Sequence, residues 1–208
     1  MASRCQLYLS MPAGFLGDPS LVEGALAAAG APSLLVVGEG APERLRAIVA
    51  AAHRQNATIL TDNPEVLASV QGFDGIHLNE HGLTVHAARD AVGADHVVGV
   101  DCRLSRHEAM TLGEAGIDYI AFGRDGGPGG QALDDLAEII DWWSALIEIP
   151  CAAHLSADAD ETAWRKLVAA GADFMIPGLE IWDEPQIIRE RLERLAFYCG
   201  AEAAQAHL

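Results

Sequence analysis

The feature of this sequence that most constrains its fold is an eightfold alternation of short apolar runs with helical segments. Residues 33–37 are apolar along nearly their whole length, which is typical of a strand buried on both faces of a parallel sheet. Residues 42–55 follow as an amphipathic helix with Pro42 in its first turn. No GxGxxG motif follows the first strand, which argues against a dinucleotide-binding Rossmann domain. Eight such units predict a single α/β domain, a closed (β/α)8 TIM barrel.

Turns that contain glycine mark the ends of several predicted helices. The sequence pattern of the turn at residues 116–118 occurs again at residues 171–173. Strands are predicted at 6–10, 33–37, 58–61, 75–78, 97–100, 119–122, 151–154 and 174–176. Helices are predicted at 19–29, 42–55, 64–70, 84–92, 105–115, 133–147, 160–170 and 184–199. Residues 1–200 therefore form one barrel, and residues 201–208 are expected to be a frayed tail.

The net charge of the chain limits the kinds of molecule that it is expected to bind. The formal net charge is -17, and Lys166 is the only lysine. Such a negative field repels nucleic acid and anionic membranes, which leaves a small-molecule ligand. There is no apolar run of about 20 residues and no signal-peptide pattern, so a cytoplasmic location is expected. Trp142, Trp143 and Trp182 would suit a subunit contact or helix packing, so a homo-oligomer is left open.

Polar residues collect where the predicted strands end, which is the working face of a TIM barrel. Two carboxylates there, Asp62 and Glu80, are predicted to hold a divalent cation. Asp101 and His154 are predicted to be catalytic, with His154 transferring a proton. Asn79 is predicted to contact the ligand. The alternative is that these side chains cap helices, as Asp62 would at the helix start marked by Asn63 and Pro64. His77 lies within an apolar strand and is expected to be an interior residue.

The loop at 123–130 is rich in glycine, and a helix follows it closely. Gly126 and Gly127 would let backbone N–H groups face an anion, with Arg124 supplying one positive charge. Asp125 and Pro128 oppose this, since one adds negative charge and the other removes an N–H. The loop is therefore either an anion cradle or a flexible lid.

Three short motifs, in order along the chain, resemble the thiamine-phosphate synthases and the related thiazole tautomerases. FDGIHL at 73–78 resembles the "ADGVHL" of that family, IDYIAFG at 117–123 resembles "ADYIGxGP", and GAD at 171–173 resembles the start of "AGADGVA". The resemblance implies a barrel that joins a pyrimidine diphosphate to a thiazole phosphate with Mg²⁺ and releases pyrophosphate. It also implies that Asp62 is a metal ligand.

This chain departs from the family pattern at the residues that would handle charge. Val37 and Glu39 stand where the family has arginine and lysine, and the second metal aspartate falls on Gly82. Asp101 stands where the family has the serine of "GVS". The Thr-x-Thr-Lys loop is replaced by the glycine-rich loop. Each charge-assisted contact to phosphate contributes about 1.5–3 kcal/mol, so these losses predict that ordinary synthase activity is absent.

Further departures bear on the rest of the site. The family's "GG" after strand seven corresponds to Leu155 and Ser156, and its serine after strand eight is absent. The tautomerase histidine corresponds to Arg103.

Three hypotheses follow for the function. In the first, a divergent member of the family binds a small phosphorylated or heterocyclic metabolite at the barrel rim without ordinary synthase activity. In the second, the chain is a functional thiamine-phosphate synthase, a transferase with an atypical site. In the third, it is a non-catalytic scaffold or regulatory subunit.

Overall fold

The computed structural model confirms the predicted barrel. It describes residues 5–15, 17–79, 83–123 and 130–200. Eight parallel strands pair in chain order, and the first strand also pairs with the last, so the sheet is closed. The strands are β1 Gln6–Pro12, β2 Ser33–Val37, β3 Thr58–Thr61, β4 Gly75–Leu78, β5 Val97–Cys102, β6 Tyr119–Phe122, β7 Cys151–Leu155 and β8 Phe174–Pro177.

Helices follow the strands and form the outer ring of the barrel. They are α1 Pro19–Ala29, α2 Pro42–Arg54, α3 Pro64–Ser69, α4 Val85–Val92, α5 Arg106–Glu114, α6 Gly130–Leu146, α7 Glu161–Ala169 and α8 Ile188–Gly200. Within the described ranges, none of these helices combines the length and the apolarity needed to cross a bilayer.

Local side-chain chemistry determines where most helices begin. Asp18, Thr84, Ser105 and Asp160 each accept a hydrogen bond from a backbone N–H in the first turn of α1, α4, α5 and α7. These caps satisfy backbone donors that have no partner inside the helix, so they stop the helix from extending toward the preceding strand. This is why the predicted and observed starts of these helices agree to within one residue.

Several predicted bounds were wrong by two residues or more. Strand β1 continues past Ser10 to Pro12, and helix α6 begins at Gly130 instead of at residue 133. Strand β5 continues past Val100 to Cys102, because Asp101 and Cys102 pair with Ala121 and Phe122 of β6. Asp101 is therefore a residue of the barrel wall and not of a loop. Helix α8 begins at Ile188 instead of at residue 184.

The late start of α8 has a tertiary cause. A 3₁₀ helix, Leu179–Trp182, directly follows β8. Its Trp182 is buried and donates a 2.6 Å hydrogen bond from Nε1 to the carbonyl oxygen of Ser10. Since the preceding segment is tied to β1 in this way, the chain must turn before α8 can begin.

Successive side chains of each strand point to opposite faces of the sheet, so the barrel has one apolar core inside it and another between the sheet and the helices. On β1, Leu7, Leu9 and Met11 face the helices and belong to the large core between sheet and helices. Tyr8 faces the barrel interior, where the smaller core contains Tyr8, Leu35, Leu60, Tyr119, Ala121, Ala152 and Ile176.

Glycine at position 99 makes room for an aromatic ring inside the barrel. Gly99 pairs with Tyr119 across β5 and β6. A Cβ atom at Gly99 would lie 2.0 Å from Tyr119 Cζ and 2.5 Å from its hydroxyl oxygen. The Tyr119 ring therefore occupies the space that any other side chain at position 99 would need.

Replacing this glycine should destabilise the barrel. We expect Gly99→Ala to lower the free energy of unfolding by about 3 kcal/mol, because the added methyl overpacks the interior. Gly24→Ala is the matched control, since Gly24 lies on the exposed face of α1 with nothing within 4 Å of an added Cβ. That change should raise stability by up to about 1 kcal/mol. Urea unfolding measures both variants, and equal stabilities would contradict the packing of Tyr119 against Gly99.

Candidate active site

Three polar side chains from three strands meet inside the C-terminal end of the barrel. They are His77 of β4, Asp101 of β5 and His154 of β7, and we call them the His–Asp–His cluster. The Nε2 atoms of His77 and His154 lie 3.0 Å and 2.9 Å from the same oxygen, Oδ1 of Asp101. One carboxylate oxygen thus faces two imidazole rings.

The cluster is buried to different degrees. The His77 side chain is fully buried, that of Asp101 is 5% exposed, and that of His154 is 16% exposed. His154 is therefore the member of the cluster that solvent or a ligand at the barrel mouth can reach.

The two histidines keep Asp101 ionised. Burial raises the pKa of Asp101, but the charge of His77 and the hydrogen bond from His154 outweigh burial. The pKa of this carboxyl is consequently well below its usual range. The negative charge of Asp101 in turn orients both imidazole rings.

Two tyrosines continue the polar chain toward the bottom of the barrel. Tyr119 Oη is hydrogen-bonded to His77 Nδ1 at 2.6 Å and to Tyr8 Oη at 2.8 Å. Burial raises the pKa of Tyr8, and the hydrogen bond with Tyr119 offsets this only in part, so the phenol stays protonated. His77 is therefore held at both ring nitrogens, by Tyr119 on one side and Asp101 on the other.

A cleft of about 560 Å³ opens beside the cluster. It lies between α4 and α5, and Asn79, Asp101 and Arg103 supply its polar lining at the strand ends. Leu83, Val85 and Leu112 supply apolar surface. This size and this mixture of surfaces suit a small heterocyclic or singly phosphorylated molecule.

Asp62 lies at the end of β3 and bridges to the neighbouring strand. Its Oδ1 accepts a 2.7 Å hydrogen bond from the backbone N–H of Gly38. Asn63, and not Asp62, is the N-cap of α3, since its side chain accepts from the N–H groups of Glu65 and Val66. Helix capping thus does not account for Asp62.

Glu180 joins two segments of the barrel rim through hydrogen bonds. Its Oε1 accepts hydrogen bonds of 2.7 Å from Ser156 Oγ and from the N–H of Ala157. Burial raises the pKa of Glu180, but these hydrogen bonds outweigh burial, and the pKa ends below its ordinary value. Glu180 therefore ties the segment after β8 to the loop after β7.

The structure brings together some of the predicted site residues. Asp101 and His154 are in direct contact, and Asn79 shares the cleft with Asp101. Glu80, Arg124, Gly126 and Gly127 lie outside the described residues, as does the tail at 201–208.

Sequence reasoning missed two members of the site. His77 is interior, as expected, but it also belongs to the cluster, and Tyr119 positions it. The signal for His77 was its spacing of two from Asn79, because alternate residues of a strand share a face.

Comparisons with known proteins point to one family. The family model described as thiamine monophosphate synthase matches residues 41–176. The thiamine-phosphate synthase of Rhodospirillum centenum is 39% identical over 197 residues, which are 87% of this chain and 91% of that protein. The thiamine-phosphate synthase of Erythrobacter litoralis is 34% identical over 163 residues, 74% of this chain and 73% of that protein.

A solved structure shares the fold. The thiamine phosphate pyrophosphorylase from Pyrococcus furiosus superposes with a TM-score of 0.74 and covers 95% of this chain and 96% of its own. Its sequence identity is 19%, so this likeness concerns the barrel alone.

The charge on Asp101 should contribute to stability. We expect Asp101→Asn to lower the free energy of unfolding by about 3 kcal/mol or more, because it breaks a buried charge pair and leaves two imidazole rings poorly matched. Asp90→Asn, on the exposed face of α4, is the control and should change stability by less than about 0.5 kcal/mol. Thermal and urea unfolding at neutral pH compare the two variants; similar stabilities would contradict the charged cluster.

Glu180 should make stability depend on acid pH. Because its pKa in the folded chain lies below the ordinary value of about 4.3, the ionised form contributes stability above that pH. This contribution is lost as the pH falls through the lower, folded-state pKa. The stability difference between wild type and Glu180→Gln should therefore shrink from pH 6 to pH 3 in urea titrations. For the exposed Glu114, the Gln variant should show no such trend.

Proposed function

Because this chain belongs to the thiamine-phosphate synthase family, we propose that it uses the mouth of the family barrel to bind a small phosphorylated or heterocyclic metabolite. We propose further that it does so without the ordinary synthase reaction. Family membership supports the location of the site, since TIM barrels act at the C-terminal ends of their strands. The departures from the family pattern support a changed chemistry.

The single observation that carries this proposal is the position of Asp101. The family pattern has a neutral serine here, whereas this chain has a buried carboxylate 2.9 Å from His154. The carboxylate neutralises positive charge that protonated imidazoles would otherwise offer to a phosphate. A diphosphate group, with several negative charges, therefore meets little compensating positive charge at this point of the barrel mouth.

The remaining charges at the strand ends support a ligand with little negative charge. Val37 ends β2 and the exposed Glu39 follows it, where the family pattern has cations, and Asp62 follows β3. Arg103 in the cleft is a cation that a single phosphate or carboxylate group could contact. Arg124, with Gly126 and Gly127, stays a prediction for a second anion contact.

Each residue then has a distinct role in the proposed site. We propose that the ligand extends from the cleft, which His154 does not line, to the barrel mouth, where His154 exchanges a proton with it as the exposed end of the cluster. Asp101 positions His154, and Asn79 binds a polar group of the ligand in the cleft. These roles describe acid–base chemistry on a bound metabolite and involve no loss of pyrophosphate.

Mg²⁺ at Asp62 and Glu80 stays a prediction, because Glu80 lies outside the described residues. Within the described part of the chain, Asp62 is in no group of three histidine, cysteine or acidic side chains with metal-ligand spacing. Its Oδ1 already accepts from Gly38. No step of the proposed chemistry passes through a Mg²⁺ ion. Cytoplasmic location and homo-oligomerisation likewise stay predictions.

A second candidate function is thiamine-phosphate synthesis itself. The observation in its favour is the 39% identity with the synthase of R. centenum along most of both chains. It requires the glycine-rich loop and Arg124 to replace the cations that the family pattern supplies elsewhere.

A pyrophosphate-release assay separates the two candidates. The protein is incubated with both synthase substrates and Mg²⁺, and an authentic synthase serves as positive control. We expect no turnover, because the cations that would stabilise the leaving pyrophosphate are replaced. Turnover at a rate comparable with the control would establish the second candidate and overturn the first.

Ligand-induced thermal stabilisation tests metabolite binding directly. A screen of singly phosphorylated and heterocyclic metabolites should yield a compound that stabilises the protein by about 2.7 kcal/mol at 100 times its Kd. The stabilisation should fall in Asn79→Ala and His154→Ala but persist in His107→Ala, which changes an exposed histidine of α5. If no compound of either class stabilises the protein, a scaffold without ligand becomes the better account.

A further inference from the structure

The His–Asp–His cluster has the composition and spacing of a transition-metal site. It is the group in the described part of the chain whose ligand atoms, one from each of three side chains, all lie within 4.8 Å of one another. A Zn²⁺ ion bound at about 2.0–2.2 Å from such atoms needs ligand separations of roughly 3.3–3.5 Å. The two observed separations from Asp101 Oδ1 are 3.0 Å and 2.9 Å, so a small outward movement of the rings would admit an ion.

The Nε2 atom of His77 supports this reading independently. It is fully buried and, among the described residues, has no aligned hydrogen-bond partner, although Asp101 Oδ1 lies 3.0 Å away. Buried polar atoms in native proteins are nearly always satisfied, so such an atom requires an explanation. The repulsion between a lone pair on Nε2 and the carboxylate of Asp101 is relieved either by a proton on Nε2 or by a cation between the two atoms, and the metal site is the second case.

The surroundings of His77 suit a metal ligand. Its other nitrogen, Nδ1, is hydrogen-bonded to Tyr119 Oη, which is in turn bonded to Tyr8. Metal-binding histidines usually donate their second N–H to such a partner, which fixes the ring and its tautomer. With Nδ1–H donating to Tyr119, Nε2 carries the lone pair that a metal requires.

From these contacts we propose that His77, Asp101 and His154 bind one divalent transition-metal ion, with Zn²⁺ as the best match. Two imidazoles and a carboxylate are a typical donor set for Zn²⁺, whereas Mg²⁺ and Ca²⁺ prefer oxygen ligands alone. One carboxylate and two neutral imidazoles leave a single positive charge on the complex. The negative net charge of the chain stabilises the positive charge of this complex.

Three protein ligands leave a fourth tetrahedral position open. His154 is the partly exposed ligand, so the open position faces the barrel mouth. With an ion bound, His154 would serve as a ligand in place of exchanging protons, and the ion would supply Lewis-acid chemistry to a group at the barrel mouth. The inference rests on the proposed function only for the identity of that group, since the ion binds without a metabolite.

Zinc titration of tag-free, chelator-treated protein tests the proposal. Isothermal calorimetry with ZnCl₂ should show one tight equivalent, and Mg²⁺ in large excess should not displace it. His77→Gln and His154→Gln should each weaken binding by at least about 100-fold, while Tyr119→Phe should weaken it by about 10-fold, the size expected for loss of a supporting hydrogen bond. His107→Gln is the control and should bind as wild type does.

Co²⁺ absorption spectra give a second measurement that does not depend on calorimetric affinity. A tetrahedral Co²⁺ spectrum should appear in wild type and in His107→Gln and be lost in His154→Gln, whose folding is checked by circular dichroism. Absence of a stoichiometric equivalent in wild type, or binding as tight as that of wild type in the His77→Gln and His154→Gln variants, would overturn the metal site. Since no metabolite is present, these results are independent of the screen that tests the proposed function.

Discussion

A carboxylate buried inside a barrel must be compensated, and much of the interior is arranged around that requirement. Asp101 is buried and lies between His77 and His154, which come from strands on either side of it in the sheet order. An isolated buried charge costs many kcal/mol, so the position of Asp101 is tolerable only if both imidazoles are held in place. Tyr119 and Tyr8 hold His77 from below.

The packing of the barrel allows this polar chain to exist. Interior positions next to it carry small residues, Gly99, Ala121 and Ala152, and these leave room for the two tyrosine rings. The ring centroids of Tyr8 and Tyr119 are 5.7 Å apart in an edge-to-face arrangement. Large aromatic rings against small residues fill the interior, and their hydroxyl groups extend the hydrogen bonding that begins at Asp101.

The same arrangement separates this protein from the family pattern to which its sequence belongs. A family barrel that handles pyrophosphate needs cations at its mouth, whereas this chain has a carboxylate supported by two histidines. The fold can be retained while the chemistry changes, because the strand ends that carry function are separate from the core that carries stability. The changed chemistry that we propose is concentrated at the His–Asp–His cluster.

The sequence by itself determined the barrel, the order of its elements and most of their bounds, because these depend on local periodicity, caps and glycine turns. It also determined that Asp62, Asn79, Asp101 and His154 stand near strand ends. Only the tertiary structure decided that Asp101 is inside the wall, since β5 was extended by pairing with β6. Likewise it placed His77 beside Asp101 and His154, and it delayed α8 through the hydrogen bond of Trp182 to Ser10. These contacts join residues between 20 and 172 positions apart, so no local pattern could reveal them; barrel closure created them.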